Sequence, residues 1–143
     1  MLPNTPSQTV GPFFSFGLCT RPQADVVEHG IDLRGRVLDG NGDPVPDALV
    51  ETWDAENRLF ARCPTNDAGE WFVVTLEVPH LAVNVFARGL LHRLVTRICF
   101  DAASIPDGVP PGRRESLRPQ RIDDGHRFDI RLQGAGETVF FDV

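Results

Sequence analysis

Residues 80–100 read HLAVNVFARGLLHRLVTRICF, and this stretch decides the fold class of the chain. Apolar side chains alternate with others on both sides of Arg88-Gly89, which is the pattern of strands with one buried face. Glycine takes the positive φ of a short turn without steric cost, so Gly89 predicts a tight hairpin. Arg88 lies at this turn. It is either a solvated turn residue or a carboxylate contact, because a guanidinium binds carboxylates with two parallel hydrogen bonds.

Strand patterns and turn signals continue on both sides of this hairpin. Residues 39–44 (DGNGDP) and 65–70 (TNDAGE) are rich in turn-forming residues. Residues 101–120 carry four prolines and predict an irregular loop. Besides the hairpin, we predict strands at 31–38, 48–53, 58–61, 71–77, 127–132 and 138–143. The pattern therefore predicts an all-β fold, an antiparallel β-sandwich of about seven to eight strands.

The 143 residues suit one domain, which we assign to 1–143. We predict that residues 31–143 form the sandwich and that residues 1–20 form an irregular N-terminal docking arm. This arm contains Phe13, Phe14 and Phe16. The three rings either pack on the body of the domain or dock on a partner and line a pocket.

Composition excludes several classes of function. The net charge of −6 and the absence of a basic stripe argue against a nucleic-acid partner. No apolar run approaches the ~20 residues of a membrane helix. The first twenty residues lack the charged and apolar segments of a secretory signal, so we expect a cytoplasmic protein. Cys19, Cys63 and Cys99 lack metal-site spacing and are expected to be reduced, with Cys99 in the core.

Metal chemistry has few candidate ligands in this chain. The sequence contains four histidines and no tyrosine, which excludes phenolate ligands. His80 and His92 flank the Arg88-Gly89 turn, so we expect that they can meet across the hairpin. Two imidazoles would begin a metal site, but no third ligand is evident. The other interpretation of His80 is a hydrogen-bonded strand histidine.

Several segments, in order along the chain, resemble one family. Residues 5–14 (TPSQTVGPFF) are similar to the N-terminal signature of intradiol ring-cleaving dioxygenases, above all the alpha chains of the protocatechuate 3,4-dioxygenase type. Residues 35–55 resemble the first hairpin of that family, and residues 127–142 its C-terminal part. The shorter matches are 67–71 (DAGEW), 79–80 (PH), 86–89 (FARG) and 96–97 (TR).

The resemblance implies a hetero-oligomer of alpha and beta chains. The catalytic beta-type chain holds a non-haem Fe(III) with two tyrosines and two histidines, and this chain holds no cofactor. His80 matches the first histidine-ligand position and Ala82 the second, and an alanine cannot bind iron. Arg88 matches an arginine near the carboxylate of an aromatic substrate at the interface. The residues that match the border of the substrate pocket are Thr9, Gly11, Pro12 and Phe13.

The chain departs from the pattern of the family in two ways. Phe13 stands where alpha chains commonly have a tyrosine, and the connections at 54–64, at 77–79 and after Gly17 are short. Three functions therefore stay open: an iron-free alpha-type subunit, a stand-alone binding or scaffolding β-sandwich, and an independent metalloenzyme that uses His80 and His92.

Overall fold

The computed structural model describes residues 3–19, 23–24 and 29–142. The ends of the predicted arm, most of the segment 21–30 and the last residue of the predicted strand 138–143 lie outside the described residues. Within these ranges, three short 3₁₀ helices accompany the strands, at Phe14–Gly17, Ala102–Ser104 and Pro111–Leu117. In the described part of the chain, no helix is long and apolar enough to cross a membrane.

The first sheet has five strands, and all of its pairings are antiparallel. Its strands are β1 (Gln23–Ala24), β3 (Leu49–Asp54), β4 (Leu59–Pro64), β6 (His80–Phe86) and β7 (Leu94–Cys99). Their order across the sheet is β1-β4-β3-β6-β7. β3 lies at the centre of this sheet, and the end of β6 contacts the N-terminal arm.

The second sheet is built around β2 (Ile31–Leu38). Its other strands are β5 (Glu70–Thr75), β8 (Gln120–Ile122), β9 (Gly125–Arg127) and β10 (Ile130–Arg131). β2 pairs antiparallel with β5 on one side and parallel with β9 and β10 on the other. The predicted all-β sandwich is confirmed. The described residues form ten strands instead of the predicted seven to eight. The parallel pairings are an exception to the antiparallel pattern.

The core lies between the two sheets and follows the predicted alternation. Leu81, Val83 and Val85 of β6 are buried, and so is Ile98 of β7. The second sheet contributes residues that include Leu33, Val37, Trp71, Val73 and Ile130 to the same cluster. Full burial of such a side chain stabilises the fold by about 1.5–3 kcal/mol, so this cluster supplies the main driving force for folding.

A close backbone approach at Gly35 joins β2 to the segment between β9 and β10. A Cβ atom at Gly35 would lie 1.7 Å from the carbonyl oxygen of Phe128. The Phe128 N–H donates to the carbonyl of Arg34 over 2.8 Å, and Asp129 accepts the N–H of Arg36 through its side chain over 3.0 Å. This irregular pairing divides the strand that we predicted at 127–132.

The C-terminal segment does not form the predicted strand over its described part. Residues 138–142 run beside β7, where the Phe141 N–H donates to Val95 over 2.8 Å and the Thr96 hydroxyl donates to Val139 over 2.7 Å. The Val139 N–H donates to the Ser116 hydroxyl over 3.2 Å and not to the backbone of a neighbouring strand. The regular ladder is therefore lost, because the backbone bonds partly to side chains.

The proline-rich residues 101–120 are more ordered than the predicted irregular loop. They hold two of the 3₁₀ helices and pack Ile105, Val109 and Leu117 against Cys99. This small cluster covers the end of β7. It also confirms the prediction that Cys99 is buried.

Candidate functional site

The N-terminal arm lies against the end of β6 and the turn that follows it. The Gly89 N–H donates a hydrogen bond of 2.6 Å to the Thr9 hydroxyl. Further along the arm, the ring of Phe14 lies 6.3 Å from the ring of Phe86. Thr9 is therefore held next to Arg88 through Gly89, and the segment 11–13 lies along the chain between the two contacts of the arm.

The turn after β6 is real, but it is not a tight hairpin. The Leu90 N–H donates to the Ala87 carbonyl over 3.3 Å, and Gly89 has φ +86° as predicted. β7 begins only at Leu94, so residues 87–93 form a seven-residue connection. The prediction of a short hairpin was wrong, because a turn signal fixes where the chain reverses and not where pairing resumes.

Arg88 faces a carboxylate of its own chain. Its Nε atom lies 3.0 Å from Oδ2 of Asp47, whose side chain is 10% exposed, whereas the side chain of Arg88 is 63% exposed. Arg88 donates no aligned hydrogen bond to any residue in the described ranges. Its two terminal nitrogens are consequently free to meet a carboxylate that approaches from outside.

The three phenylalanines of the arm differ in their surroundings: one packs on the body of the domain and two are exposed, as a docking surface would be. Phe14 packs on the body of the domain through Phe86. Phe13 and Phe16 are 69% and 70% exposed, and their ring centroids lie 5.4 Å apart. Two adjacent exposed rings are typical of a surface that another molecule covers. We call Phe13 and Phe16 the aromatic tip of the arm.

The two family ligand positions lie on the outer face of the first sheet. Side chains alternate along β6, so His80, Ala82 and Asn84 point away from the core residues Leu81 and Val83. His80 is exposed. In the sheet register, Ala82 lies between Trp53 of β3 and Arg97 of β7, and neither neighbour is an iron ligand.

His80 and His92 do not meet. His80 pairs with Cys99 at one end of β6, and His92 lies in the connection at the other end. The six-residue rise from His80 to Phe86 separates these ends by about 20 Å, whereas ligands of one metal lie within a few ångströms of each other. The predicted encounter was wrong. In the described ranges, no group of three or more His, Cys, Asp or Glu side chains could hold a metal ion.

A polar network crosses the outer face of the first sheet between the ligand positions and the arm. Arg62 donates to Oε1 of Glu51 through Nε and Nη2, over 2.9 and 2.6 Å. The Asn84 amide donates to Oε2 of Glu51 over 3.4 Å and accepts from Nε of Arg93 over 3.3 Å. This network links β3, β4 and β6 to the connection that follows β6.

The cysteines do not supply a reactive nucleophile. Burial raises the pKa of Cys19, of Cys63 and of Cys99 above the ordinary thiol value. A thiol reacts as the thiolate, so a raised pKa disfavours reaction at neutral pH. All three are free thiols.

The cavity of about 520 Å³ on the second sheet is a weaker candidate than the arm site. Arg34, Arg36 and Arg127 line it. Each guanidinium already pairs with an acidic side chain of the chain, the partners being Asp124, Glu70 and Asp129 respectively. The positive charge is therefore compensated, and no free cation in this cavity attracts an anionic ligand.

Comparison with known proteins identifies relatives over the full chain. No protein-family model matches the chain. The protocatechuate 3,4-dioxygenase alpha chain of Pseudomonas putida is 35% identical over 196 aligned positions, which cover 99% of this chain and 98% of that protein. The alpha chain of Burkholderia cepacia is 38% identical with the same coverage. The chain belongs to the protocatechuate 3,4-dioxygenase alpha-chain family. It is therefore an oxidoreductase subunit.

The alpha-chain family is longer than this chain. The 196 aligned positions exceed the 143 residues, so the relatives carry insertions that are missing here. This agrees with the short connections that the sequence indicated. The alignment covers 99% of this chain, so nearly all of its residues have a counterpart in the relatives.

Solved structures support the fold alone. A hydroxyquinol 1,2-dioxygenase from Pseudomonas putida matches 74% of this chain with a TM-score of 0.55 and 19% identity. A catechol 1,2-dioxygenase from Pseudomonas arvilla matches 79% with a TM-score of 0.51 and 21% identity. The chain spans 57% and 55% of these two proteins. A Streptomyces dioxygenase domain matches 94% of this chain and is 93% covered, with a TM-score of 0.51 and 17% identity.

The sequence did not reveal Asp47 as part of the candidate site. Leu49 pairs with Phe86, and the same antiparallel register, continued by two residues, places Asp47 opposite Arg88. The contact of Asp47 with Arg88 follows only from the pairing of β3 with β6. These strands are separated by two others along the chain, so local patterns cannot indicate it.

Proposed function

We propose that this chain is the iron-free alpha-type subunit of a cytoplasmic protocatechuate 3,4-dioxygenase-like complex. A beta-type partner chain would hold the non-haem Fe(III), which supplies the oxidation of a catechol carboxylate by O2 with cleavage between the two hydroxyl-bearing carbons. The observation that carries the proposal is the arm bound beside Arg88 in a chain of this family.

Iron does not fit the residues of this chain. The family site needs two tyrosines and two histidines, and the sequence has no tyrosine and an alanine at position 82. His80, the remaining matched position, has no ligand partner among the described residues. The chain is therefore assigned no step that passes through a metal.

The proposed task of Arg88 is to bind the substrate carboxylate. Its Nε faces Asp47, and its terminal nitrogens point to no other acidic group in the described ranges. A charge-assisted contact of this kind contributes about 2–3 kcal/mol. Arg88 would therefore select aromatic substrates that carry a carboxylate over those that lack one.

The proposed task of the arm is to form one wall of the partner's pocket and to exclude water from it. The Thr9 contact with Gly89 and the Phe14 contact with Phe86 hold the arm at two points. Gly11 and Pro12 are exposed between them and are available to border the pocket. A wall held at two points keeps its shape when the substrate binds.

The aromatic tip is the proposed contact with the beta-type chain. Burial of the Phe13 and Phe16 rings in an interface gains about 1.5–3 kcal/mol for each ring. The double variant Phe13→Ser/Phe16→Ser is therefore expected to weaken the complex at least about tenfold in Kd. The measurement is titration of the purified beta-type chain with each variant.

Phe72 provides a matched control for the tip. It is 48% exposed on β5 of the second sheet, whereas the contacts of Thr9 and Phe14 hold the arm to the end of β6 and the turn after it. Phe72→Ser is expected to leave the Kd within about twofold, because it lies outside the proposed interface. Equal weakening by both variants would contradict the assignment of the tip.

A stand-alone binding or scaffolding domain is the second candidate. The missing insertions favour it, because insertions of the relatives can enlarge a subunit contact. Co-expression with a beta-type chain separates the candidates. If the two chains co-purify as a stable complex, the subunit is supported. If both chains are folded but are recovered separately, the stand-alone domain is supported.

A further inference from the structure

Asp47 is fixed to the body of the domain immediately before β3. The N–H of Ala48 donates to the Thr65 hydroxyl over 3.0 Å, and the Thr65 N–H donates to the Ala48 carbonyl over 2.9 Å. Ala48 itself is fully buried. The residue that follows Asp47 is therefore held through both of its backbone polar groups, which fixes the chain next to Asp47.

The carboxylate of Asp47 lies opposite Arg88, which is its ion partner. Its side chain is nine-tenths buried, and Oδ2 lies 3.0 Å from Nε of Arg88. No aligned hydrogen bond to this oxygen is present in the described part of the chain. A buried carboxylate normally has a partner that compensates its charge, and for Asp47 this partner is Arg88.

The two side chains differ sharply in freedom. Arg88 is 63% exposed, whereas Asp47 is 10% exposed. An exposed arginine has many rotamers, and a ligand must order it on binding at a cost in conformational entropy. A fixed carboxylate at Nε removes part of that freedom beforehand and leaves the edge formed by the two terminal nitrogens uncovered.

We propose that Asp47 is a positioning residue that holds Arg88 by its Nε edge, so that the two terminal nitrogens meet the carboxylate of the aromatic substrate. This inference rests on the proposed function of Arg88. According to this inference, the preference of the complex for substrates with a carboxylate depends on Asp47, which is buried and does not contact the substrate.

The test uses the complex with the beta-type chain and two substrates, protocatechuate and catechol, of which only the first carries a carboxylate. Asp47→Asn keeps the shape of the side chain and removes its charge. We expect KM for protocatechuate to rise about three- to tenfold with kcat within about twofold, since a weakened Arg88 contact acts on binding. Both constants for catechol should stay unchanged.

Asp43→Asn is the matched control, because Asp43 is an exposed carboxylate of the same connection before β3. It is expected to leave both substrates unchanged. If the Asp47→Asn chain does not form a complex with the beta-type chain, the Asp47→Glu variant is tested in its place. This variant keeps the charge but displaces it by one methylene, and the same rise confined to protocatechuate is expected.

Combination with Arg88→Ala separates this inference from the proposed function. In the Arg88→Ala background, Asp47→Asn should add no further loss, because it acts only through Arg88. If Arg88→Ala impairs protocatechuate cleavage and Asp47→Asn does not, Asp47 is no positioning residue. Equal effects of Asp47→Asn on both substrates assign it a merely structural role. No effect of Arg88→Ala itself overturns both the inference and the carboxylate role of Arg88.

Discussion

Arg88→Ala is expected to lower kcat/KM for protocatechuate about 30- to 150-fold in the complex with the beta-type chain, mainly through KM. The substitution removes a charge-assisted contact worth about 2–3 kcal/mol, and each 1.4 kcal/mol is a factor of ten. Catechol has no carboxylate, so its kcat/KM should stay within about twofold of the parent value. Steady-state kinetics with both substrates measures the difference.

Two controls accompany this variant. Arg93→Ala removes an exposed arginine from the same 87–93 connection, where its Nε contacts Asn84, and is expected to change neither substrate. Arg88→Ala also leaves the buried carboxylate of Asp47 without its ion partner, so the denaturation midpoint of each variant is recorded. A loss of activity that is equal for protocatechuate and catechol would refute a carboxylate contact by Arg88.

Gly35→Ala is expected to destabilise the fold by about 3 kcal/mol or more, because overpacking of this kind forces the backbone apart. The added methyl group would lie 1.7 Å from the Phe128 carbonyl oxygen and 3.1 Å from Nε1 of Trp71. The near neighbour is backbone, so no flexible side chain can move away. β2 would separate from the segment between β9 and β10. Urea unfolding followed by tryptophan fluorescence measures the loss.

Gly108→Ala is the matched control for this prediction. No atom lies within 4 Å of the Cβ position at Gly108, and its φ is outside the left-handed region. We expect a change within about 0.5 kcal/mol, as for most surface substitutions. If Gly35→Ala proved as harmless as Gly108→Ala, the close packing of β2 on Phe128 would be wrong.

Local patterns predicted those parts of the fold that depend on neighbouring residues. Leu81, Val83 and Val85 alternate, and they are buried as the period of two requires. The positive φ of Gly89 followed from the absence of a side chain at the turn. These properties depend on one strand or one turn, so the sequence contains them directly.

Non-local pairing could not be predicted in this way. The parallel neighbours of β2 come from the C-terminal part of the chain, and a pattern of alternation contains no information about partners. The pair Asp47–Arg88 depends on the register between β3 and β6. The expected meeting of His80 and His92 failed on the same point. The register between β6 and β7 places His80 opposite Cys99, and His92 lies outside the paired strands.

The family resemblance and the geometry supply different parts of the candidate site. The resemblance names Thr9, Gly11, Pro12, Phe13 and Arg88 as pocket residues but says nothing of what holds them. The structure adds the bond between Thr9 and Gly89 and the carboxylate beside Arg88. Both are contacts across elements, which makes them invisible to local sequence patterns.

We propose that this chain completes a catalytic site without holding iron itself. The measurement that tests it most directly is the iron content and ring-cleavage activity of this chain alone, purified without a metal-binding tag, beside those of the complex with the beta-type chain. We expect iron and protocatechuate cleavage in the complex and neither in this chain alone. Stoichiometric iron with cleavage by this chain alone would contradict it.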